Sequence, residues 1–236
     1  MQPLEGRVFV VTGGGGAIAR PILHAFAGAG AKVVVVDRTI DHAQKAAELV
    51  AGLPLAADLA TAAGADQMVA AVVAQLGRVD GLIHTVGGFA MGKVDEVDVS
   101  QYDKLFDANV RSLFYTVRSV LPQLKARNDG FIAGFASEPA WTGAGPGASL
   151  YAASKAAVAT FLRSLDGELK GSGIRVSILY PMGAVDTPAN RRDMPDFDPA
   201  GYIDPAEIAA TLLFAATRSA RGRLPELPVY PARPAK

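Results

Sequence analysis

The stretch "VVTGGGGAIAR", residues 10–20, is the most informative part of the sequence, because it leads from a short apolar run through four glycines into a helical pattern. A short run rich in valine is typical of a buried strand. Pro21 falls in the first turn of the helix, where proline is tolerated. The amides of a glycine-rich turn, with the positive end of the following helix, suit a diphosphate. A plain glycine-rich turn is the alternative, since a glycine run alone is weak evidence.

The same alternation of strand and helix patterns continues along the chain. Strands are predicted at residues 7–12, 32–37, 53–58, 80–88, 130–137, 174–181 and 224–231. Helices are predicted at about residues 17–31, 40–51, 65–77, 100–127, 151–170 and 204–217. Parallel strands need long crossovers, which helices supply on both faces of a sheet. The sequence therefore predicts an α/β fold, a doubly wound parallel sheet of Rossmann type in a three-layer sandwich, as a single domain spanning residues 1–236.

The composition argues against several functional classes. Half of the 236 residues are hydrophobic, and 23 basic residues balance 23 acidic ones, so no nucleic-acid surface or charged membrane-binding surface is expected. The absence of cysteine excludes thiolate nucleophiles and thiolate metal sites, and the three scattered histidines predict no metal site. No apolar stretch reaches the length of a membrane span and no signal peptide is apparent, which predicts a cytoplasmic protein without a membrane partner.

Acidic residues end the second and third predicted strands. Asp37 follows the glycines at close to the ~20-residue separation at which an acid binds the adenosine ribose of a dinucleotide. A carboxylate there accepts hydrogen bonds from the ribose hydroxyls and repels a 2′-phosphate, which favours NAD(H), while the adjacent Arg38 leaves NADP(H) open. Asp58 is placed to meet the adenine rim. Helix capping is the alternative role for both acids.

Further motifs follow, and together they resemble the short-chain dehydrogenase/reductase family over essentially the full length of the chain. The motifs are "TGGGGAIA", the strand-ending Asp37 and Asp58, "HTVGG", "NVRSLF", "FAS", "YAASK" and "PMGAVDTP". A narrower similarity, in "GGGGAIA", "VGGFAMGK" and "DTPANRRDMPDFD", is to the dihydropteridine-reductase-like branch and its bacterial relatives. The resemblance implies an enzyme that moves a hydride between a nicotinamide dinucleotide and a small molecule.

The resemblance also implies a set of dinucleotide-binding residues, although some positions depart from the family pattern. Ala17 and Ala19 replace glycines, and "PMGAVDTP" is longer than the usual loop. Gly16 replaces the basic residue of many NADP-using relatives, which again favours NAD(H). His84 and Thr85 replace two asparagines, and His84 is interpreted as a structural residue rather than a base. The expected cofactor-binding residues are Gly13, Gly16, Ala17, Ile18, Asp37, Arg38, Asp58, Leu59, Gly87, Tyr151, Lys155, Pro181, Val185 and Thr187.

Tyr151 and Lys155 lie four residues apart in "SLYAASKAAV", residues 149–158, so both side chains share one face of a helix. By resemblance, Tyr151 is the general acid in reduction and the base in oxidation. A free phenol has a pKa of about 10, and a close ammonium lowers this pKa by stabilising phenolate. Lys155 is expected to supply that ammonium and to hold the nicotinamide ribose. An ordinary helix surface is the alternative, because this spacing also occurs by chance.

Two further residues complete the implied catalytic set. Ser137 follows the fifth strand in "FASEPA", and its hydroxyl is expected to bond the substrate oxygen as charge develops there. Asn109 lies inside a predicted helix, where asparagine is a mediocre helix former. In the family this asparagine kinks the helix and orders a water behind Lys155. A plain strand-end serine and a polar helix-surface asparagine are the alternatives.

The segment at about residues 186–205 is rich in proline and aspartate, and by resemblance it closes over the substrate. Arg191 and Arg192 in this segment are interpreted as exposed, solvated side chains rather than as binders of an acidic group. Candidates for an apolar pocket wall are Phe89, Met91, Trp141, Met182, Met194 and Phe197.

Three functional hypotheses follow from these residues. The leading one is an NAD(H)-dependent oxidoreductase acting on a carbonyl/alcohol pair, with Tyr151 as the general acid/base. The presence of Ser137 favours it over the second, a quinonoid dihydropterin or imine-type reductase. The third is a non-catalytic dinucleotide-binding sensor or scaffold, which the fold alone does not exclude. By resemblance, the helices at about 100–126 and 151–170 pack between the subunits of a homodimer or homotetramer.

Overall fold

One parallel sheet of seven strands organises the computed structural model, which describes residues 2–219 and 221–233. The strand order across the sheet is β3-β2-β1-β4-β5-β6-β7. The strands are β1 (Val8–Thr12), β2 (Lys32–Asp37), β3 (Leu53–Ala56), β4 (Gly81–His84), β5 (Gly130–Phe135), β6 (Ile174–Pro181) and β7 (Glu226–Val229). All neighbouring strands pair in parallel. The predicted doubly wound sheet is confirmed.

Helices cover both faces of this sheet. They are α1 (Ala19–Gly28), α2 (Ile40–Glu48), α3 (Ala62–Leu76), α4 (Ser100–Phe106), α5 (Ser112–Arg127), α6 (Glu138–Thr142), α7 (Ser149–Glu168), α8 (Pro188–Asp193) and α9 (Pro205–Ala216). Alternate side chains of β1 enter different cores: Val8 and Val10 join the core with α3, α5 and α7, while Phe9 and Val11 join the core with α1 and α9. Burial on both faces explains the continuous apolar runs that identify the strands in the sequence.

The winding of the chain reverses at β1, which lies between β2 and β4. In open sheets of this kind, ligands bind at the carboxyl ends of the strands beside such a reversal. Thr12 and His84 pair at the ends of β1 and β4, and Asp37 ends β2. The fold therefore brings the glycine-rich turn, the ribose acid and the "HTVGG" segment to one edge of the sheet.

Two local features differ from the sequence prediction. The predicted helix at 100–127 contains a π turn, Asp107–Arg111, between α4 and α5. A π turn accommodates one extra residue in a helix and is frequent at functional sites. The short helix α6, with a proline in its first turn, is absent from the sequence prediction, because five residues carry too little periodicity to identify a helix.

Within the part of the chain that the structure describes, no helix is both long and apolar enough to cross a membrane. The same residues contain no group of three or more histidine, aspartate or glutamate side chains that could hold a metal ion.

Asp80 is a buried carboxylate at the amino-terminal edge of the sheet, away from the predicted motifs. Arg78 Nε donates to it at 2.7 Å, and the Val8 amide donates to it at 2.8 Å. Burial raises the pKa of the Asp80 carboxyl, but these hydrogen bonds and the charges of Arg78 and Arg7 outweigh burial. The net pKa of Asp80 therefore lies below its ordinary value.

We expect Asp80→Asn to lower the free energy of unfolding by about 3–5 kcal/mol at neutral pH, because it removes one partner of a buried charge network. A carboxyl whose pKa is depressed in the folded state contributes stability above its unfolded value of 3.8 and loses it as the pH falls through the folded value. The difference from wild type should therefore shrink in acid. Urea unfolding measures it. Asp129→Asn, which removes a half-exposed partner of Arg7, is the control, and it should lower the free energy of unfolding by about 1 kcal/mol or less. Equal losses in the two variants would contradict the role of Asp80 in a buried charge network.

Candidate active site

A cleft of about 810 Å³ opens at the carboxyl ends of β1, β2 and β4. From the predicted cofactor-binding set, its wall contains Gly13, Gly16, Ala17, Ile18, Asp37, Arg38, Asp58, Leu59, Gly87 and Thr187. It also contains residues outside that set: Ala19, Val36, Ala57, Ala60, Thr85, Val86, Ala108, Ser112, Pro188, Ala189 and Arg192. Several of these residues, such as Thr85 and Val86, could have been identified from the sequence, because they follow directly after a strand. Ala108 and Ser112 carry no such signal, because the π turn brings them to the cleft.

The glycine-rich turn forms one side of the cleft through its backbone. Gly13 has a φ of +67°, and a Cβ there would lie 2.9 Å from Thr85 Oγ1. The Gly14 amide donates to the Val36 carbonyl at 3.0 Å and fixes the turn. Helix α1 begins without a side-chain cap and without an acidic residue in its first turn, so no acid of its own neutralises the positive end of the helix, although its Ala19 and Arg20 amides donate to the Gly16 carbonyl. This backbone fits the diphosphate of a dinucleotide.

Asp37 lies at the rim of the cleft, next to the glycine-rich turn. Its Oδ2 accepts a hydrogen bond from the Gly15 amide at 3.0 Å, and its Oδ1 accepts one from the Arg38 amide at 2.8 Å. Each carboxylate oxygen retains a lone pair for a ribose hydroxyl. Asp37 does not serve as a helix cap, because Thr39 caps α2. The carboxylate is therefore free to face a ligand in the cleft.

Asp58 combines a place in the cleft wall with a local structural role. Its Oδ1 accepts a hydrogen bond from the Ala60 amide at 3.1 Å, while Thr61 caps α3. Asp58 thus orders its own loop, while helix capping, the alternative role considered for it, falls to Thr61.

Four residues predicted to bind the cofactor, Tyr151, Lys155, Pro181 and Val185, are not part of the cleft wall. Pro181 ends β6, and the Val185 side chain is buried in the core. The Val185 carbonyl accepts a hydrogen bond from Asn190 Nδ2 at 2.8 Å. Thr187 does line the cleft, and its Oγ1 caps α8 through the Asn190 amide at 3.1 Å. The contacts expected of Pro181 and Val185 stay predictions.

Lys155 lies one turn after Tyr151 on α7 and is buried. Its Nζ donates to the Phe135 carbonyl, at the end of β5, at 2.9 Å. A Cβ on Gly87 would lie 3.1 Å from the same Nζ, so the ammonium reaches the backbone beside the cleft. Burial lowers the pKa of Lys155 to about 8. The side chain is therefore a cation at neutral pH that loses its charge in mild alkali.

The pKa of Tyr151 differs from the sequence prediction, because it is raised rather than lowered. Burial is the larger effect, and the nearby Ser137 hydroxyl opposes it. The ring of Phe89 covers the Tyr151 ring edge-on, with centroids 4.8 Å apart, and contributes to this burial. Lys155 Nζ donates to the Phe135 carbonyl, and its charge does not outweigh this burial. In this structure the phenol therefore keeps its proton throughout the neutral range.

Asn109 occupies the middle of the π turn and is buried. Its Oδ1 accepts from the Gly88 amide at 2.8 Å, while its Nδ2 donates to the Gly88 carbonyl at 3.1 Å and to Ser154 Oγ at 2.9 Å. Ser154 in turn donates to the Tyr151 carbonyl at 2.8 Å. The side chain of Asn109 thus joins the loop after β4 to the first turn of α7. The π turn lies at the position where the family resemblance implies a kink in the helix.

His84 is buried and hydrogen-bonded at both ring nitrogens, to Thr12 Oγ1 at 2.9 Å and to Ser112 Oγ at 3.1 Å. Ser112 donates its own proton to the Ala108 carbonyl at 2.6 Å, so Nε2 of His84 must be the protonated nitrogen. Burial, followed by the charge of Lys155, lowers the pKa of His84 to about 3. His84 is therefore a neutral structural residue that ties β1 and β4 to the π turn.

The predicted substrate-covering segment contains α8 and a 3-10 turn, Pro199–Gly201. Ile203 of this segment forms an isolated parallel β-bridge with Val185, which directly precedes the segment. Of the candidate apolar wall residues, Phe89 contacts Tyr151. Trp141 packs against Tyr180, and none of the six candidates, Phe89 included, lines this cleft.

Comparison with known proteins decides the family. The sequence model of the short chain dehydrogenase family matches residues 7–196. The chain belongs to the short-chain dehydrogenase/reductase family. An uncharacterized oxidoreductase of Staphylococcus haemolyticus is 30% identical over 236 residues, which covers 98% of this chain and 100% of that protein. The narrower similarity to the dihydropteridine-reductase-like branch stays a prediction.

Solved structures agree with this family. A 3-ketoacyl-(acyl-carrier-protein) reductase from Brucella melitensis, complexed with NADH, is 28% identical with a TM-score of 0.87, over 97% of this chain and 98% of that chain. An alcohol dehydrogenase from Thermococcus sibiricus, complexed with 5-hydroxy-NADP, shares the fold at 22% identity and a TM-score of 0.83, over 97% and 98% of the two chains. This chain is therefore an oxidoreductase with an NAD(P)-binding Rossmann fold. The two solved neighbours contain different cofactors, NADH in one and an NADP derivative in the other.

Proposed function

We propose that this short-chain dehydrogenase is an NAD(H)-dependent reductase of small carbonyl compounds, in which Tyr151 supplies the proton and Ser137 binds the reacting oxygen. The observation that carries the proposal is Ser137 Oγ, which is buried and has no hydrogen-bond partner among the described residues. A buried hydroxyl without a partner is unfavourable unless a ligand satisfies it. Ser137 Oγ makes no hydrogen bond of regular geometry to Tyr151, but the two hydroxyls are close, since Ser137 partly offsets the larger effect of burial, which raises the pKa of Tyr151. A carbonyl oxygen beside them would accept hydrogen bonds from both.

The residues of the chain then have separate tasks. A nicotinamide bound in the cleft would supply the hydride. Ser137 donates a hydrogen bond to the substrate oxygen as negative charge develops, and Tyr151 transfers its proton to that oxygen. The raised pKa of Tyr151 keeps the phenol protonated at neutral pH, in the form that donates a proton. Lys155, charged below its pKa of about 8, favours the phenolate that remains.

The preference for NAD(H) in this proposal depends on Asp37. We expect Asp37→Ala to weaken NADH binding, because the ribose hydroxyls lose their acceptor, and to strengthen NADPH binding, because the repulsion of a 2′-phosphate disappears. The ratio of the two dissociation constants should change by roughly 10- to 100-fold. Fluorescence titration with each cofactor measures it. Asp41→Ala, an exposed acid in the first turn of α2, is the control. A ratio that stays at the wild-type value in Asp37→Ala would exclude this role.

The proposed activity is tested by a screen of NADH and NADPH oxidation against ketones, aldehydes, quinones and quinonoid dihydropterin. Oxidation of NADH by simple carbonyl compounds is the expected result. Turnover with the dihydropterin alone would replace the proposed substrate class. A protein that binds NADH and oxidises it with none of these compounds would instead favour the sensor hypothesis.

We also propose that the protein forms a homodimer or homotetramer through α5 and α7. Phe114 on α5 is 46% exposed, and its ring meets that of Phe161 on α7 edge-on, with centroids 6.0 Å apart. An exposed aromatic pair that spans two helices is typical of a protein interface. Light scattering should give at least twice the chain mass of 24.4 kDa, and a purely monomeric solution would refute the assembly.

A further inference from the structure

The charges around the cleft leave the diphosphate of a dinucleotide with few cationic partners. The charged residues of the wall are two acids, Asp37 and Asp58, and two arginines, Arg38 and Arg192. The glycine-rich turn carries no basic side chain, and Arg38 follows the ribose acid directly in sequence. The diphosphate of a dinucleotide carries two negative charges. Of the two arginines in the wall, Arg192 is the one that is distant in sequence from both the glycine-rich turn and Asp37.

Arg192 and its neighbour Arg191 have different environments. Arg191 donates through Nε and Nη2 to both carboxylate oxygens of Asp186, at 2.5 and 2.7 Å, and its guanidinium lies 5.9 Å from the centroid of the Tyr202 ring. Among the residues that the structure describes, Arg192 pairs only with the next residue, Asp193, at 3.1 Å, and its side chain is 73% exposed. An exposed pair of this kind contributes little free energy, so Arg192 can exchange it for a ligand at little cost.

The helix α8 directs Arg192 toward the cleft. Pro188 and Ala189 of its first turn line the cleft wall, and Arg192 follows them by four and three residues, on the same helix face. The position of the helix is fixed at its start, because Thr187 Oγ1 accepts from the Asn190 amide. Arg192 is therefore held by an ordered helix beside the cleft, whereas Arg191 is already paired.

We propose that Arg192 is a cofactor-binding residue that neutralises the diphosphate of the dinucleotide from the α8 side of the cleft. This extends the proposed function, since it requires that the cleft binds NAD(H). It also revises the interpretation of Arg192 as a merely solvated side chain. A guanidinium suits this task, because its planar donors match phosphate oxygens and its charge does not titrate near neutral pH.

Isothermal titration of the full-length wild type, Arg192→Ala, Arg192→Lys and Arg191→Ala with NADH and with ADP-ribose tests the proposal. ADP-ribose retains the diphosphate and lacks the nicotinamide. Arg192→Ala should raise the dissociation constants of both ligands by about tenfold, and Arg192→Lys by less, because it keeps the charge. Arg191→Ala should change them by less than about twofold, since its pairing with Asp186 is exposed. The effect of Arg192→Ala should decrease at high salt.

Equal affinities for Arg192→Ala and Arg191→Ala, in a protein whose wild type binds NADH, would overturn the role of Arg192 and leave the proposed function intact. A loss confined to NADPH, measured in the same way, would also overturn it, because Arg192 would then recognise a 2′-phosphate. A wild type that binds neither NADH nor ADP-ribose would overturn the proposed function and this inference together.

Discussion

Tyr151→Phe is expected to reduce turnover of a carbonyl substrate by about 10²- to 10⁴-fold while NADH binding stays nearly unchanged. The change removes one oxygen, and with it the proton that the substrate oxygen must receive. The ring and its edge-on contact with Phe89, at 4.8 Å between centroids, are retained, so the packing of the site is preserved. Steady-state kinetics and NADH titration on the same preparation separate the two effects.

Tyr102→Phe is the matched control for this variant. Tyr102 is 53% exposed, stacks on Phe106 and lies outside the proposed catalytic set of Asn109, Ser137, Tyr151 and Lys155, so its hydroxyl has no expected role in turnover. Retained turnover in Tyr151→Phe would overturn the assignment of the proton donor. A loss of NADH affinity as large as the loss of turnover would show instead that the hydroxyl binds the cofactor.

Lys155→Met is expected to lower turnover by about 10²- to 10³-fold, because the phenolate formed on Tyr151 loses its nearby cation. Wild-type activity should also decline as the pH rises through about 8, where Lys155 loses its charge. The linked effect on stability has the opposite sign. Between the folded pKa of about 8 and the ordinary value of 10.5, the unfolded chain binds more protons, so the stability of wild type rises with pH across this window.

Methionine at position 155 keeps the buried stem and removes the buried charge. Below pH 8 the variant should therefore be at least as stable as wild type, although the Phe135 carbonyl loses a donor. Thermal unfolding and a pH–rate profile measure both effects. Lys170→Met, an exposed lysine beyond α7, is the control and should change neither. A Lys155→Met variant that is both inactive and strongly destabilised would assign Lys155 a structural role. A wild-type pH–rate profile that is flat from pH 7 to about 10 would exclude a role for the titration of the Lys155 ammonium.

Much of the fold and of the cleft follows from local sequence. The apolar runs of β1 and β2 are continuous because both faces of the sheet are buried, and each run ends where the chain turns. Asp37 and the glycine-rich turn therefore meet at one edge by topology alone. This proximity allows the hydrogen bond from the Gly15 amide to Asp37, whereas the motif spacing predicts only that Asp37 binds a ribose.

The remaining features depend on contacts between distant segments, which local patterns do not encode. The π turn is accompanied by the hydrogen bonds of Asn109 to Gly88 and Ser154. The hydrophobic periodicity of the helix does not predict this turn. The pKa of Tyr151 depends on how deeply the rest of the fold buries the phenol, which spacing to Lys155 cannot reveal. The different roles of Arg191 and Arg192 likewise become visible only when the partner of each is known.

The central claim is that the chain moves a hydride from NADH to a carbonyl carbon with a proton from Tyr151. Mass spectrometry of the product formed from NADH deuterated at C4 of the nicotinamide tests it most directly. The account predicts an alcohol that carries deuterium on the former carbonyl carbon with wild type, and hardly any product with Tyr151→Phe. Consumption of NADH that leaves no deuterium in the product, or equal labelling by the two proteins, would contradict it.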